Sequence, residues 1–138
     1  MRFVDSNVFL HAFLRPRREL SKEERHVKEA AKEIVREIEG GEGVAMSTVH
    51  LSEVVNIIES GLSLQKSLGF LAWAISSASI DVYPTDVGDY GGALSIARES
   101  GVSANDALAY LLMKEHDLDE VYSFDRHFDL LDVTRLPV

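Results

Sequence analysis

The sequence contains no cysteine. That excludes disulfides, thiolate metal sites and cysteine nucleophiles, so any metal bound here is held by oxygen or imidazole, a donor set that favours a hard cation. No apolar run approaches the about eighteen residues a membrane span needs. The first residues lack the basic-then-apolar pattern of a secretory signal, so a soluble, cytoplasmic protein is expected. Amides are sparse, three Asn and one Gln, as heat-adapted proteins tend to have. Positive charge is short as well: 14 Lys and Arg stand against 23 Asp and Glu, a formal net charge of -9. This argues against a sequence-independent nucleic-acid binder working through a broad basic face. It does not argue against an enzyme whose carboxylates are covered by metal ions.

What is present is a chain of 138 residues, 46% of them hydrophobic, enough for one domain, 1–138, with a sizeable core. Met1 to Val4 reads as a short strand, and the apolar run Val8, Phe9, Leu10, Ala12, Phe13, Leu14 as a buried helix opening straight after Asp5. Pro16 and three arginines break it. Ser21 to Glu39 is the clearest helix: Ser21 and Glu24 match a capping box, Val27, Ala30, Ala31, Ile34, Val35 and Ile38 draw one stripe, and Gly40 with Gly41 ends it. Its charged face reads as solvated. Strands at Gly43–Ser47 and Ile80–Tyr83 frame helices at Thr48–Ser60 and Gly61–Ser79, the second apolar enough around Leu64, Leu68, Phe70, Leu71 and Trp73 to suggest a subunit interface. A helix from Asp86 to Ser100 closes at Gly101. After Ser103 the positions Ala104, Ala107, Leu108, Leu111 and Leu112 keep helical spacing, Val121–Phe124 reads as a strand, and Leu131–Leu136 as a last one. Strands alternating with helices through short loops predict an α/β fold with a mostly parallel sheet.

Four acids then stand out, each just past a predicted strand or in the first turns of a helix: Asp5, Glu53, Asp106 and Asp125. Strand-end edges are where open α/β sheets place ligands. Each acid also has a purely structural reading. Asp5 suits an N-cap; Ser103 with Asp106 matches a capping box; Asp125 could cap the following turn; Glu53 could be an exposed helix glutamate, although Val49 and Ile57 put it on a half-apolar flank. The three Asn fall beside these acids: Asn7 near Asp5, Asn56 near Glu53, Asn105 next to Asp106. Asp86 suits capping with Thr85 and is left out of the set.

The opening strand with D-S-N, the mid-chain S-x-x-x-L-S-E, the later S-A-N-D-A and the S-F-D-x-x-F-D near the end together resemble the PIN-domain ribonucleases, particularly the small ones that act as toxins of VapBC-type toxin-antitoxin pairs. The resemblance covers nearly the whole chain. It implies a five-stranded parallel sheet flanked by helices in an α/β/α sandwich, and a tendency to form homodimers. In such proteins the acids matching Asp5, Glu53, Asp106 and Asp125 hold divalent metal and Asp129 often joins them. Ser123 matches a hydroxyl position beside the last acid, and Asn7 a polar neighbour of the first.

Oxygen ligands of this kind suit Mg²⁺ or Mn²⁺, and one or two such ions can drive in-line attack of water on an RNA phosphodiester. An antitoxin protein is an expected partner. To meet a polyanion, the acidic chain is expected to present a local basic rim of Arg15, Arg17, Arg18, Lys22 and Arg126. Three alternatives remain at this level: a haloacid-dehalogenase-type phosphotransfer enzyme, which would need a second acid where Asn7 stands; a receiver-like domain, which would need a Lys absent from Val121–Asp129; and a catalytically silent interaction module.

Overall fold

The structure is a computed structural model and describes residues 1–137. Among these residues five strands form one sheet, β1 (Arg2–Val4), β2 (Val44–Ser47), β3 (Ile80–Tyr83), β4 (Glu120–Tyr122) and β5 (Thr134–Leu136). All pairings are parallel and the order is β3-β2-β1-β4-β5. Helices α1 (Ser6–Phe13), α2 (Lys22–Glu39), α3 (Thr48–Gly61), α4 (Leu64–Ser76), α5 (Val87–Ser100) and α6 (Ala104–Glu115) connect them, with a 3-10 helix at Arg126–Leu130. None is long and apolar enough to cross a membrane.

Side chains alternate across a strand, and here both sides are covered, which is why the strands read as short continuous apolar runs. Val4, Val44, Met46 and Tyr122 face a core completed by α1 to α4. Phe3, Ala45 and Val121 face the opposite core, completed by α5, α6 and Phe128. Phe3 and Val4 are wholly buried, each worth about 1.5–3 kcal/mol, so a strand of three residues is anchored from both sides.

Chain order and sheet order together create the site. From β1 the chain steps outward to β2 and β3, then returns to lay β4 on the other side of β1. The segment after β1 enters the first core through Val8 and Phe9, while the segment after β4 enters the second through Phe128. The chain therefore parts at the carboxyl ends of β1 and β4, opening the crevice where such sheets bind ligands. Asp5 and Ser123 are the first residues past those two strands.

Several element ends follow from caps. The Ser21–Glu24 capping box forms in both directions. Lys28 on α2 donates to the carbonyls of His11, Ala12 and Leu14 at 3.1, 3.4 and 2.7 Å, satisfying acceptors that the end of α1 leaves without helical partners. Asp86 caps α5 reciprocally with Asp89, and Gly101 closes that helix at φ 71, a left-handed conformation natural to glycine. The helix expected at Gly61–Ser79 is shorter: Leu62 leaves helical dihedrals, Ser63 caps by accepting from Lys66 N, and Ser77 is extended. Serines compete for backbone hydrogen bonds, so they bound the helix at both ends. The last two strands are also shorter than their apolar runs, because Ser123 turns to Asp5, Phe124 packs on the first core, and Leu131 and Val133 pack on the second.

Candidate metal centre

Asp5 occupies the N-cap position of α1 yet makes no side-chain capping bond. Its Oδ2 instead accepts from Ser123 Oγ at 2.8 Å, and Ser6 Oγ lies 3.4 Å from Oδ1. Ser6 donates its shorter bond, 2.6 Å, to Glu53 Oε1, while Asn105 Nδ2 donates to Glu53 Oε2 at 2.8 Å. Both Glu53 oxygens are thereby held. On α6, Ser103 Oγ accepts from Asp106 N, but Asp106 does not return the bond, so only half of the expected capping box forms. The freed carboxylate is buried, and its Oδ2 has no hydrogen-bond partner among the described residues. Asp125 does cap the turn after it, through His127 N at 2.9 Å.

Asp5, Asn7, Glu53, Ser103, Ala104, Asn105, Asp106 and Asp125 line one open cavity of about 470 Å³. Ser123 sits behind it, wholly buried. Besides donating to Asp5, its Oγ accepts from Asp125 N at 3.0 Å and from Asn7 Nδ2 at 3.3 Å, and Asn7 Oδ1 accepts from Phe124 N. One hydroxyl thus ties the ends of β1 and β4 together. Asn105 thus bonds to an acid directly and Asn7 to the hydroxyl that serves two of them, whereas the Asn56 side chain donates to Ser52 at the surface.

Crowding and burial set the acidities. Burial raises the Asp5 carboxyl to about 7, helped by the charges of Asp106 and Glu53 and opposed by the bond from Ser123. Asp106 is raised to about 6, first by burial and then by the charge of Asp125. Both effects disfavour the anion. Beneath Asp5 lies a fully buried histidine, His50. Its backbone N–H donates to Ser47 Oγ at 3.1 Å, and its ring Nδ1 shares a hydrogen bond of 2.6 Å with the same hydroxyl. Ring Nε2 is unpartnered among the described residues and lies 3.9 Å from Asp5 Oδ1. Burial pulls this imidazole down to about 4, so it stays neutral.

Not every expected residue reaches the cavity. Asp129 is exposed and paired with Arg135, Nε to Oδ1 at 3.0 Å. Arg15, Arg17, Arg18, Lys22 and Arg126 are all exposed, but they are not equivalent. Arg18 binds the Glu24 carboxylate through both terminal nitrogens. Lys22 lies on the outer face of α2 with Arg25 and His26. Arg15 lines a groove of about 720 Å³ that shares Asn7 with the acid cavity. Sequence reasoning overlooked Ser6, His50 and His127. Ser6 was visible inside D-S-N, and His127 lies two residues past Asp125; nothing in the pattern marks His50.

The donor set fits a divalent cation. Convergent carboxyls with raised pKa values, and a buried Asp106 oxygen without a partner among the described residues, are what a site built for positive charge presents. One ligand atom each from Asp106, Asp125 and His127 falls within 4.8 Å of the others.

A family model described as the PIN domain matches residues 2–133, and the chain belongs to that family. No curated protein matches the sequence significantly. Among solved structures the fold is similar to that of VapC20 from Mycobacterium tuberculosis, described as a sarcin-ricin-loop-cleaving toxin, with a TM-score of 0.71 and 18% identity over 94% of this chain and 93% of that one. FitAcB from Neisseria gonorrhoeae gives 0.61 and 21% over 98% and 96%. VapBC2 from Rickettsia felis, bound to a DNA fragment from its promoter, gives 0.63 and 11% over 97% and 96%. The five-stranded parallel sheet with helices on both faces is the α/β/α fold of these neighbours.

Proposed function

We propose that this chain acts as a single domain, a Mg²⁺- or Mn²⁺-dependent endoribonuclease that hydrolyses RNA phosphodiester bonds as the toxin of a cytoplasmic toxin-antitoxin pair. The observation that carries the reading is the convergence of Asp5, Glu53, Asp106 and Asp125 on one cavity, with Asp106 buried and one of its oxygens unpartnered. A silent interaction module would have no use for such an arrangement, because burying acids without a cation is costly. Asn7, in the position where a phosphotransfer enzyme would need a second acid, is spent on Ser123 and Phe124.

A bound divalent ion would supply activation of water and neutralisation of charge on the phosphodiester. Asp5, Asp106 and Asp125 would hold it. Ser123 and Ser6 orient the Asp5 carboxylate, and Ser6 with Asn105 fixes Glu53 in place to ligate or to position the attacking water. The chain supplies no covalent nucleophile to the cavity beyond hydroxyls already spent on these acids. Arg15 and Arg17 are suited to steer the RNA backbone. Asp129, tied to Arg135, would join the site only by leaving that pair.

An antitoxin partner is supported by the described complexes of the structural neighbours and by the groove beside the acids, whose walls include Leu10, Leu14, Leu20, Val27 and Phe124. Self-association is supported by exposed Leu64, Leu68 and Ile75 on α4. The test is cleavage of single-stranded RNA by the purified chain with Mn²⁺, Mg²⁺ or EDTA. Metal-dependent cutting that Asp106→Asn abolishes is the expected result, and no cutting at millimolar Mn²⁺ would overturn the reading.

A further inference from the structure

We propose that His127 is a nitrogen ligand of the divalent ion at this centre, and that it tilts the centre from Mg²⁺ towards the later first-row ions such as Co²⁺ and Ni²⁺. The inference rests on the metal-dependent reading above and adds a donor to it. His127 follows Asp125 by two residues in the 3-10 helix that Asp125 caps, and the bond from His127 N to Asp125 Oδ1 holds the two residues together. Ring Nδ1 is 3.2 Å from Asp125 Oδ1 and 3.7 Å from Asp106 Oδ2.

Those separations suit donors sharing one ion. Two ligand atoms about 2.0–2.2 Å from a common centre, at octahedral or tetrahedral angles, lie roughly 2.8–3.6 Å apart, so the Asp125 separation falls inside the range and the Asp106 separation at its outer edge. Asp106 Oδ2 is buried, has no partner among the described residues and is too far from Nδ1 for a hydrogen bond. The ring therefore leaves that oxygen unsatisfied, while one ligand atom from each of Asp106, Asp125 and His127 falls within 4.8 Å of the others. The imidazole remains 60% exposed, so the ligand set keeps an open side for water or substrate. An all-carboxylate site suits Mg²⁺, whereas an imidazole raises affinity along the series from Mn²⁺ to Ni²⁺.

The competing role for His127 is a plain counter-cation lying between two acids, which an ion would displace. Pulsed electron paramagnetic resonance on the Mn²⁺-loaded full chain separates the two. A ligating ring gives ¹⁴N modulation that His127→Gln removes, and the same substitution weakens Co²⁺ binding about tenfold or more while changing Mg²⁺ binding about threefold or less. Mn²⁺ bound without nitrogen modulation overturns the proposal and leaves the nuclease reading standing. Modulation that persists in His127→Gln comes from another nitrogen and likewise overturns it. Failure of Mn²⁺ to bind at all removes the metal-dependent reading itself.

Discussion

Neutralising Asp106 should stabilise the metal-free protein while destroying its metal response. The carboxyl sits at about 6 in the folded chain against an ordinary 3.8. The native state therefore holds this proton more tightly than the unfolded state, and stability falls as pH rises from about 4 to about 6. Above that window the full penalty is in force, about 3 kcal/mol at 1.36 kcal/mol per pKa unit. Asp106→Asn keeps the size, removes the charge beside Asp125 and Asp5, and presents an amide that can donate to either neighbour. In EDTA at about pH 8 the variant should melt higher than the parent, by on the order of 10 °C for a chain of this length. Near pH 4, where the parent carboxyl is already protonated, the difference should vanish. Mn²⁺ should raise the parent, since a ligand at 100 times its Kd adds about 2.7 kcal/mol, and should barely move the variant. Melting curves at both pH values, with EDTA and with Mn²⁺, read all four numbers. A variant that melts lower than the parent at pH 8 in EDTA, or keeps the full Mn²⁺ shift, refutes the reasoning and leaves Asp106 a helix-end residue.

Ser123→Ala removes a buried hydroxyl that serves Asp5, Asp125 and Asn7 together; urea unfolding should show a loss of about 1–3 kcal/mol, and the Asp5 carboxyl should titrate higher still. Because Asp5 and Asp106 sit at about 7 and about 6, Mn²⁺ binding near neutral pH should release on the order of one proton. Calorimetry in buffers of different ionisation enthalpy measures this, and a buffer-independent heat would contradict the raised pKa values. Replacing Arg15 and Arg17 with Glu should weaken RNA binding and flatten its salt dependence, while Arg18→Ala, whose guanidinium is engaged by Glu24, should change neither. Equal losses from both variants would show that the rim has no internal order.

Local sequence determined most of the elements and half of the site. The Ser21–Glu24 box, the α2 stripe and the αL glycine at the end of α5 act within a few residues, so composition and spacing suffice to place them. The four acids were legible for a related reason: strand ends next to helix starts are local features, and each acid occupies one. What the sequence left open was whether those acids cap their own helices or face each other, since Ser103 and Asp106 fit a capping box as written. Tertiary structure decided it by sheet order. Laying β4 beside β1 brings Ser123 to Asp5 across 118 positions, and packing α3 and α6 over the same edge brings Asn105 to Glu53 across 52. With Asp5 uncapped and the Asp106 box left half made, the carboxylates turn into one cavity. The turn from the 3-10 helix into β5 set Asp129 against Arg135, and the tertiary packing slid His50 under Asp5. Burial and mutual repulsion exist only once the chain is folded, so the acidities that make this cluster a place for a cation belong to the fold, although every residue supplying them stood in plain view in the sequence.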